Sequence, residues 1–259
     1  MKKIFYSILV FLLILLNFST VCADDVDNED EFENTVEVTA SSVTALPKTN
    51  SRRYIVYDRI SKSMIIGKNE DVKSAMASTT KIMTTIVILE KADLNATVTI
   101  SAKAGETGGS RLGLKRGDKA SVKDLLYGLM LRSGNDAAVA LAEHVGGSVK
   151  EFAELMNEKA AELGLTNTHF VTPHGLDDPN HYTTALELAK LTDYAMDNEN
   201  FARIVGTKST TIYINNQPRQ INNTNELLGV LNGVVGVKTG FTNNAGRCLV
   251  TEIKRNNMD

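Results

Sequence analysis

Three short groups of polar residues could do chemistry together. Ser78-Thr79-Thr80-Lys81 is the only S-x-x-K in the chain. Three residues is almost one helical turn, so on a helix Ser78 and Lys81 point to the same side. An amine placed there can act as base for the hydroxyl, provided the amine is neutral. Ser133-Gly134-Asn135 interrupts an otherwise apolar helical stretch, as a site on a helix–helix connection would. Lys238-Thr239-Gly240 ends the run Val234-Val235-Gly236-Val237. On an alternating strand Lys238 and Gly240 face one way and Thr239 the other, so one edge offers charge, hydroxyl and close backbone approach. Taken singly, each group also describes an ordinary helix start, cap or turn.

The elements around these groups follow from local patterning. Tyr54–Tyr57 and Met64–Ile66 are apolar runs separated by a polar six-residue connection, which predicts a β-hairpin. Residues 76–91 read as a helix, with Ile82, Met83, Ile86 and Val87 on one face. Ser121 with Asp124 forms an N-terminal cap, and Val122, Leu125, Leu126, Leu129 and Met130 then give an unbroken apolar stripe. Ser148 with Glu151 caps a helix that stops near Gly164, and Thr184 with Glu187 caps one running toward Met196. Strand-like runs follow at Thr210–Ile214, Val234–Lys238 and Cys248–Ile253. Strands at both ends with helices between predict an α/β (α+β) domain, its antiparallel sheet built from N- and C-terminal strands.

The chain has 259 residues and a formal net charge of −3. Hydrophobic residues at 42% and charged residues at 23% exclude a fully disordered or fibrous chain. Mild acidity gives no electrostatic reason to expect nucleic acid. Lys2 and Lys3 precede an uncharged apolar run, Ile4–Leu16, and then Val21-Cys22-Ala23. The run is short of the roughly 20 residues a bilayer span needs. Residues 1–23 therefore read as a Sec-type secretory signal peptide cut near Ala23. Cleavage removes Cys22 and leaves Cys248 as a buried small hydrophobe, with no intrachain disulfide to form. Residues 24–37 carry eight acids and no base, and residues 24–50 read as a solvated spacer. With those acids and the two leading lysines set aside, residues 38–259 sum to +3.

S-x-x-K, then S-x-N, then K-T-G, in this order, are the signature set of penicillin-binding proteins and serine β-lactamases. The chain resembles the low-molecular-weight D-alanyl-D-alanine carboxypeptidases (peptidase S11 type) over about residues 51–255. The segments around the three motifs carry the resemblance, as do Thr168-His169-Phe170, His174-Gly175-Leu176 and Ala245–Val250. The resemblance implies the β-lactamase/transpeptidase-like fold and an extracytoplasmic place in a bacterial cell envelope. It implies removal of the terminal D-alanine from peptidoglycan pentapeptides, with no cofactor and no metal. Ser78 would form the acyl-enzyme, Lys81 would take its proton and Ser133 would relay a proton to the leaving D-alanine. Asn135 would hold the substrate amide, and Lys238, Thr239 and Gly240 would bind at the terminal carboxylate. Backbone N–H groups of Ser78 and Phe241 would form the oxyanion hole. A second cation, Lys238, would depress the pKa of Lys81. β-Lactams would acylate Ser78 and stay.

Three other readings compete. A class A β-lactamase adds a deacylating E-x-x-L-N, and none lies between Asn135 and Lys238; Glu162–Thr166 comes nearest and lacks the final Asn. A metal hydrolase would use His169, His174 and His181 with Asp177 and Asp178, but the histidine spacings of five and seven do not match a helical H-E-x-x-H pair. A non-catalytic receptor for β-lactam or wall peptide would share the nucleophile. Gly105–Ser110 is no phosphate loop, since no Gly-Lys-Ser/Thr completes it. The family's domain usually continues with another strand and a helix, and many members add a β-rich domain and a membrane-surface helix. The domain 51–259 therefore reads as truncated at Asp259, with an unpaired edge that predicts poor stability.

Overall fold

The computed structural model describes residues 48–255. The signal-peptide expectation at residues 1–23, most of the acidic spacer and the last four residues lie outside the described residues. Residues from Asn50 onward cluster as one compact unit. Among the described residues no helix is long and apolar enough to cross a membrane.

The chain opens with the expected hairpin, β1 (Tyr54–Asp58) and β2 (Ser63–Lys68), paired antiparallel. A 3-10 turn, Ala77–Thr80, leads directly into α1 (Lys81–Lys91). Then come β3 (Thr97–Thr99), α2 (Ala102–Glu106) and β4 (Lys119–Ser121), with β3 and β4 paired. Four helices follow: α3 (Val122–Leu131), α4 (Asn135–Gly146), α5 (Val149–Glu162) and, after a long loop, α6 (Ala185–Met196). The short α7 (Glu199–Val205) precedes the hairpin β5 (Ser209–Ile214) and β6 (Gln217–Asn222). The last pair is β7 (Lys238–Thr242) and β8 (Gly246–Val250). Among the described residues these strands pair antiparallel as four two-stranded ribbons, with isolated antiparallel bridges besides. The mixed helix and antiparallel-strand class is the expected one.

The caps fall where the sequence places them. Ser121, Ser148 and Thr184 each accept the backbone N–H three residues on, from Asp124, Glu151 and Glu187. Each such cap stabilises its helix by about 1 kcal/mol. The stripe on α3 is fully buried, with Val122, Leu125, Leu126 and Leu129 each at 0% exposure. Burying one such side chain contributes roughly 1.5–3 kcal/mol. At the centre lies α1, packed against α3, α4, α5, α6 and α7. Its first turn, where Lys81 sits, is therefore held on several sides.

Boundaries of the last strand pair differ from the sequence reading: β8 is Gly246–Val250 rather than Cys248–Ile253. Val234–Val237 is not strand, and β7 starts at Lys238. Within the stretch only Val234 forms an isolated bridge, to Ile253. The Gly236 carbonyl is instead taken by Asn225 Nδ2 at 2.8 Å and Thr251 Oγ1 at 2.7 Å. The Val235 and Val237 N–H groups still donate to the carbonyls of Glu252 and Val250 at 3.0 Å, so the pairing continues but is interrupted at Gly236, whose carbonyl side chains take. At the opposite end, Arg59 in the β1–β2 turn ties the N-terminal ribbon to later elements. It donates to Asp193 at 2.9 Å and Asp197 at 2.7 Å, at the end of α6, and to Glu252 at 2.8 Å, just after β8.

Candidate active site

The nucleophile candidate lies in a strained turn. Ala77, immediately before Ser78, has φ +48°, and Ser133 has φ +58°. Left-handed backbone is costly for residues with a Cβ and clusters at functional sites. The turn is pinned from within: Thr79 Oγ1 donates to Met76 O at 2.6 Å and Thr80 Oγ1 to Ala77 O at 2.8 Å. The 3-10 turn and α1 continue as one helical path, so Ser78 and Lys81 do fall on the same side.

Lys81 is fully buried. Its Nζ is 2.9 Å from Ser78 Oγ, 2.8 Å from Asn135 Oδ1 and 2.8 Å from the carbonyl oxygen of His174. Two of these partners can only accept. A neutral amine has two N–H groups and one lone pair. It can donate to both carbonyl oxygens and turn its lone pair to the Ser78 hydroxyl, which then donates to it. The surroundings favour that form. Burial pushes the Lys81 pKa well below the ordinary amine value, and the nearby Lys238 charge pushes in the same direction, while Asp136 opposes. The sequence singled out Lys238 as the cause; burial is the larger one. Lys238 is itself buried, and burial lowers its pKa to about 7.

Asn135, the first residue of α4, has both ends of its amide engaged. Oδ1 accepts from Lys81, and Nδ2 donates to Gly108 O at 2.8 Å. Its own N–H donates to Ser110 O at 2.7 Å. Asn135 thus fastens the amine to the Gly108–Ser110 loop. The next residue, Asp136, is buried and anchors the same loop: its carboxylate accepts from the N–H groups of Leu112, Gly113 and Leu114 at 2.8–3.0 Å. Ser133 is buried in the turn between α3 and α4, but its hydroxyl does not hydrogen-bond Ser78 or Lys81.

Strand β7 passes the nucleophile turn. A Cβ on Gly240 would lie 2.9 Å from Ser78 N, so only glycine fits the strand this close. That places Phe241 directly after the contact, with its side chain exposed. Thr239 Oγ1 is 2.9 Å from Thr224 Oγ1, and Lys238 Nζ donates to Thr239 O at 2.9 Å.

Several positioning residues escaped the sequence reading. The His174-Gly175 peptide is wedged against the nucleophile turn: a Cβ on Gly175 would sit 1.9 Å from Ala77 O. His181 supports that turn from below. Its Nδ1 accepts the Val171 N–H at 3.0 Å, so Nε2 carries the proton and donates to Thr80 Oγ1 at 2.7 Å. Burial holds both rings neutral at pH 7, lowering His174 to about 3 and His181 to about 4. The loop histidines are built into this framework, and His169 Nδ1 meets Asn180 O at 2.6 Å. Only the spacing of His174-Gly175 from the nucleophile turn, 93 residues from Lys81 to His174, concealed their role.

Comparison with known proteins points one way. The sequence profile of Peptidase S11, D-alanyl-D-alanine carboxypeptidase, matches residues 38–259. The D-alanyl-D-alanine carboxypeptidase DacF of Bacillus subtilis is 38% identical over 210 residues, covering 79% of this chain and 54% of its own length. The chain thus spans about half the length of that relative. A solved mutant of a Streptomyces DD-transpeptidase superposes with a TM-score of 0.79 at 35% identity, covering 82% of this chain and 89% of that one. The crystal structure of a D-alanyl-D-alanine carboxypeptidase from Mycobacterium tuberculosis gives 0.80 at 35% identity, covering 84% and 83%.

Proposed function

We propose, from the premise that this chain belongs to the D-alanyl-D-alanine carboxypeptidase family, peptidase S11, that it removes the terminal D-alanine from peptidoglycan peptides through an acyl-enzyme on Ser78. The observation that carries the reading is the buried Lys81 amine 2.9 Å from the Ser78 hydroxyl, with two carbonyl oxygens fixing its remaining valences. Ser78 Oγ attacks the carbonyl of the penultimate D-alanine as Lys81 Nζ takes its proton. The oxyanion is received by the Ser78 and Phe241 N–H groups, a reading that the close approach of Gly240 to Ser78 N supports. Ser133 returns a proton to the departing D-alanine. Asn135 meets the substrate amide, and Lys238 with Thr239 holds the terminal carboxylate. Water then releases the shortened peptide. A β-lactam acylates the same oxygen. Action in the cell envelope, with residues 1–23 as export signal and residues 51–259 as catalytic domain, belongs to the same reading.

Incubation with a synthetic pentapeptide ending in D-Ala-D-Ala tests it: free D-alanine and the tetrapeptide should appear in equal amounts, and none from the L-Ala-L-Ala analogue. A folded protein that releases no D-alanine contradicts the reading.

The charge on Lys238 adds a pH dependence. Below about pH 7 the amine is cationic and can bind a carboxylate; above it the free enzyme loses that charge. The kcat/KM for the peptide should therefore fall about tenfold per pH unit on the alkaline side, from a midpoint near 7. The corresponding limb in kcat should lie at higher pH, because a bound carboxylate raises the amine's pKa. A kcat/KM still rising between pH 7 and 9 would remove Lys238 from carboxylate binding. Stability should move the other way. Between about pH 7 and 10.5 the unfolded chain holds a proton that folded Lys238 has lost, so denaturant resistance should rise with pH there.

A further inference from the structure

The two oxyanion donors sit on different elements. The Ser78 N–H belongs to the nucleophile turn and the Phe241 N–H to β7. Among the described residues no hydrogen bond joins β7 directly to Ala77–Lys81. What meets there is glycine against backbone, with the position of a Gly240 Cβ only 2.9 Å from Ser78 N. Such a contact limits how close the strand can come. It does little to stop the strand drifting outward, because dispersion between a few atoms is weak. Among the described residues β7 is also paired on one side only, with β8. The spacing of the two donors needs a further restraint.

One short segment, His174–Asp177, reaches every part of the site. The His174 carbonyl accepts from Lys81 Nζ at 2.8 Å, and Gly175 lies against the Ala77 carbonyl. Leu176 extends to the Gly108–Ser110 loop, where a Cβ on Gly109 would be 3.6 Å from its Cδ2. Asp177 then turns to β7, and its Oδ1 accepts from Thr242 Oγ1 at 2.6 Å. The same hydroxyl accepts the Ala245 N–H at 3.1 Å, so its proton is directed at Asp177. Asp177 Oδ2 receives the Asn244 N–H at 3.4 Å. A charged acceptor makes the stronger hydrogen bond. Thr242 is one residue past Phe241. The segment is therefore fastened at one end to the base of the nucleophile and at the other to the strand bearing the second donor. Asp177, a ligand in the metal-hydrolase reading, has both carboxylate oxygens engaged on the β7–β8 turn.

We propose that Asp177 is a positioning residue that, through Thr242, holds the Phe241 N–H at the distance from Ser78 that the oxyanion requires. The assignment deepens the carboxypeptidase reading and rests on it. The test uses the full chain and a pentapeptide ending in D-Ala-D-Ala. Thr242→Val keeps the shape and the strand preference and removes the hydroxyl; Asp177→Ala removes the acceptor. Each should lower kcat about tenfold, part of the 10²–10³-fold that outright loss of an oxyanion donor costs. Acylation and deacylation both pass through the oxyanion, so either limiting step reports it. KM should move by less than about twofold, because the oxyanion exists only beyond the ground state. A boronic acid analogue of the peptide, tetrahedral and anionic on Ser78, should lose affinity by the same tenfold or so. The double variant should lose no more than either single one, since both cut one link. Thr242→Ser, which keeps the hydroxyl, should stay within about twofold of wild type. The pair is exposed, so Tm should fall by no more than about 2 °C in any variant. Wild-type kcat in both single variants, losses that multiply to about a hundredfold in the double variant, a loss confined to KM, or a lower Tm with boronate affinity intact overturns the role of Asp177 and leaves the carboxypeptidase reading standing. A folded wild-type chain that releases no D-alanine overturns both.

Discussion

Replacement of Lys81 by methionine will slow acylation of Ser78 by about 10²–10⁴-fold, the range that a positioned general base contributes. Methionine keeps the length and apolar stem and removes the amine. Ser78 Oγ then has no base within reach, since the nearest other titratable rings, His174 and His181, point their nitrogens elsewhere. His174 Nδ1 accepts the Leu176 N–H at 3.2 Å, and both nitrogens of His181 are engaged with Val171 and Thr80. A second variant separates base chemistry from packing. Lys81→Arg retains a cation and several donors but cannot give up a proton at any working pH. It should be as slow as the methionine variant. The measurement is the rate of labelling by a fluorescent penicillin, with circular dichroism to show that each variant is folded. Labelling within tenfold of wild type in either variant would take the base role away from Lys81.

The second large effect arises at a residue with no functional group. Gly175→Ala should lower kcat/KM by about 10²-fold or more, the cost of an ångström of misplacement at a reacting centre. The added methyl would fall 1.9 Å from Ala77 O, 2.5 Å from Thr80 Oγ1 and 2.6 Å from Ala77 C. Two of these are backbone atoms, so no side chain can swing aside. Gly175 also has φ +85°, where alanine is strained. Either the His174 carbonyl retreats from Lys81, or the turn bearing Ser78 moves. Both spoil the amine–hydroxyl geometry. Overpacking costs typically 1–3 kcal/mol, which for a body of this size lowers Tm by roughly 5 °C. A Gly175→Ala variant with wild-type kcat/KM would show that the His174-Gly175 peptide does not set the nucleophile.

What could be read along the chain was whatever is decided within one turn or one hairpin. The phase of Ser78 and Lys81, the caps at Ser121, Ser148 and Thr184 and the β1–β2 pairing all depend on residues a few positions apart. The order of the three motifs then gave the family, and with it the residues of the site. The constraints that shape the amine were not legible. Asn135 Oδ1 and the His174 carbonyl reach Lys81 across 54 and 93 residues. Only tertiary packing brings them together, and a backbone carbonyl leaves no mark on residue type. Gly175 looked like any turn glycine, because what it must avoid is the distant Ala77 carbonyl. The strand β6 was missed because Gln217-Pro218-Arg219-Gln220-Ile221-Asn222 buries only Ile221, too little alternation to register. Val234–Val237 misled in the opposite sense: it is apolar, yet Asn225 and Thr251 claim the Gly236 carbonyl that a ladder would have used.

The most direct measurement is the intact mass of the folded protein after exposure to benzylpenicillin, followed by peptide mapping of the adduct. One covalently opened β-lactam per chain, located on Ser78, is the expected result. An unmodified folded chain, or an adduct mapped to another residue such as Ser133, would contradict Ser78 as the nucleophile served by the buried Lys81 amine.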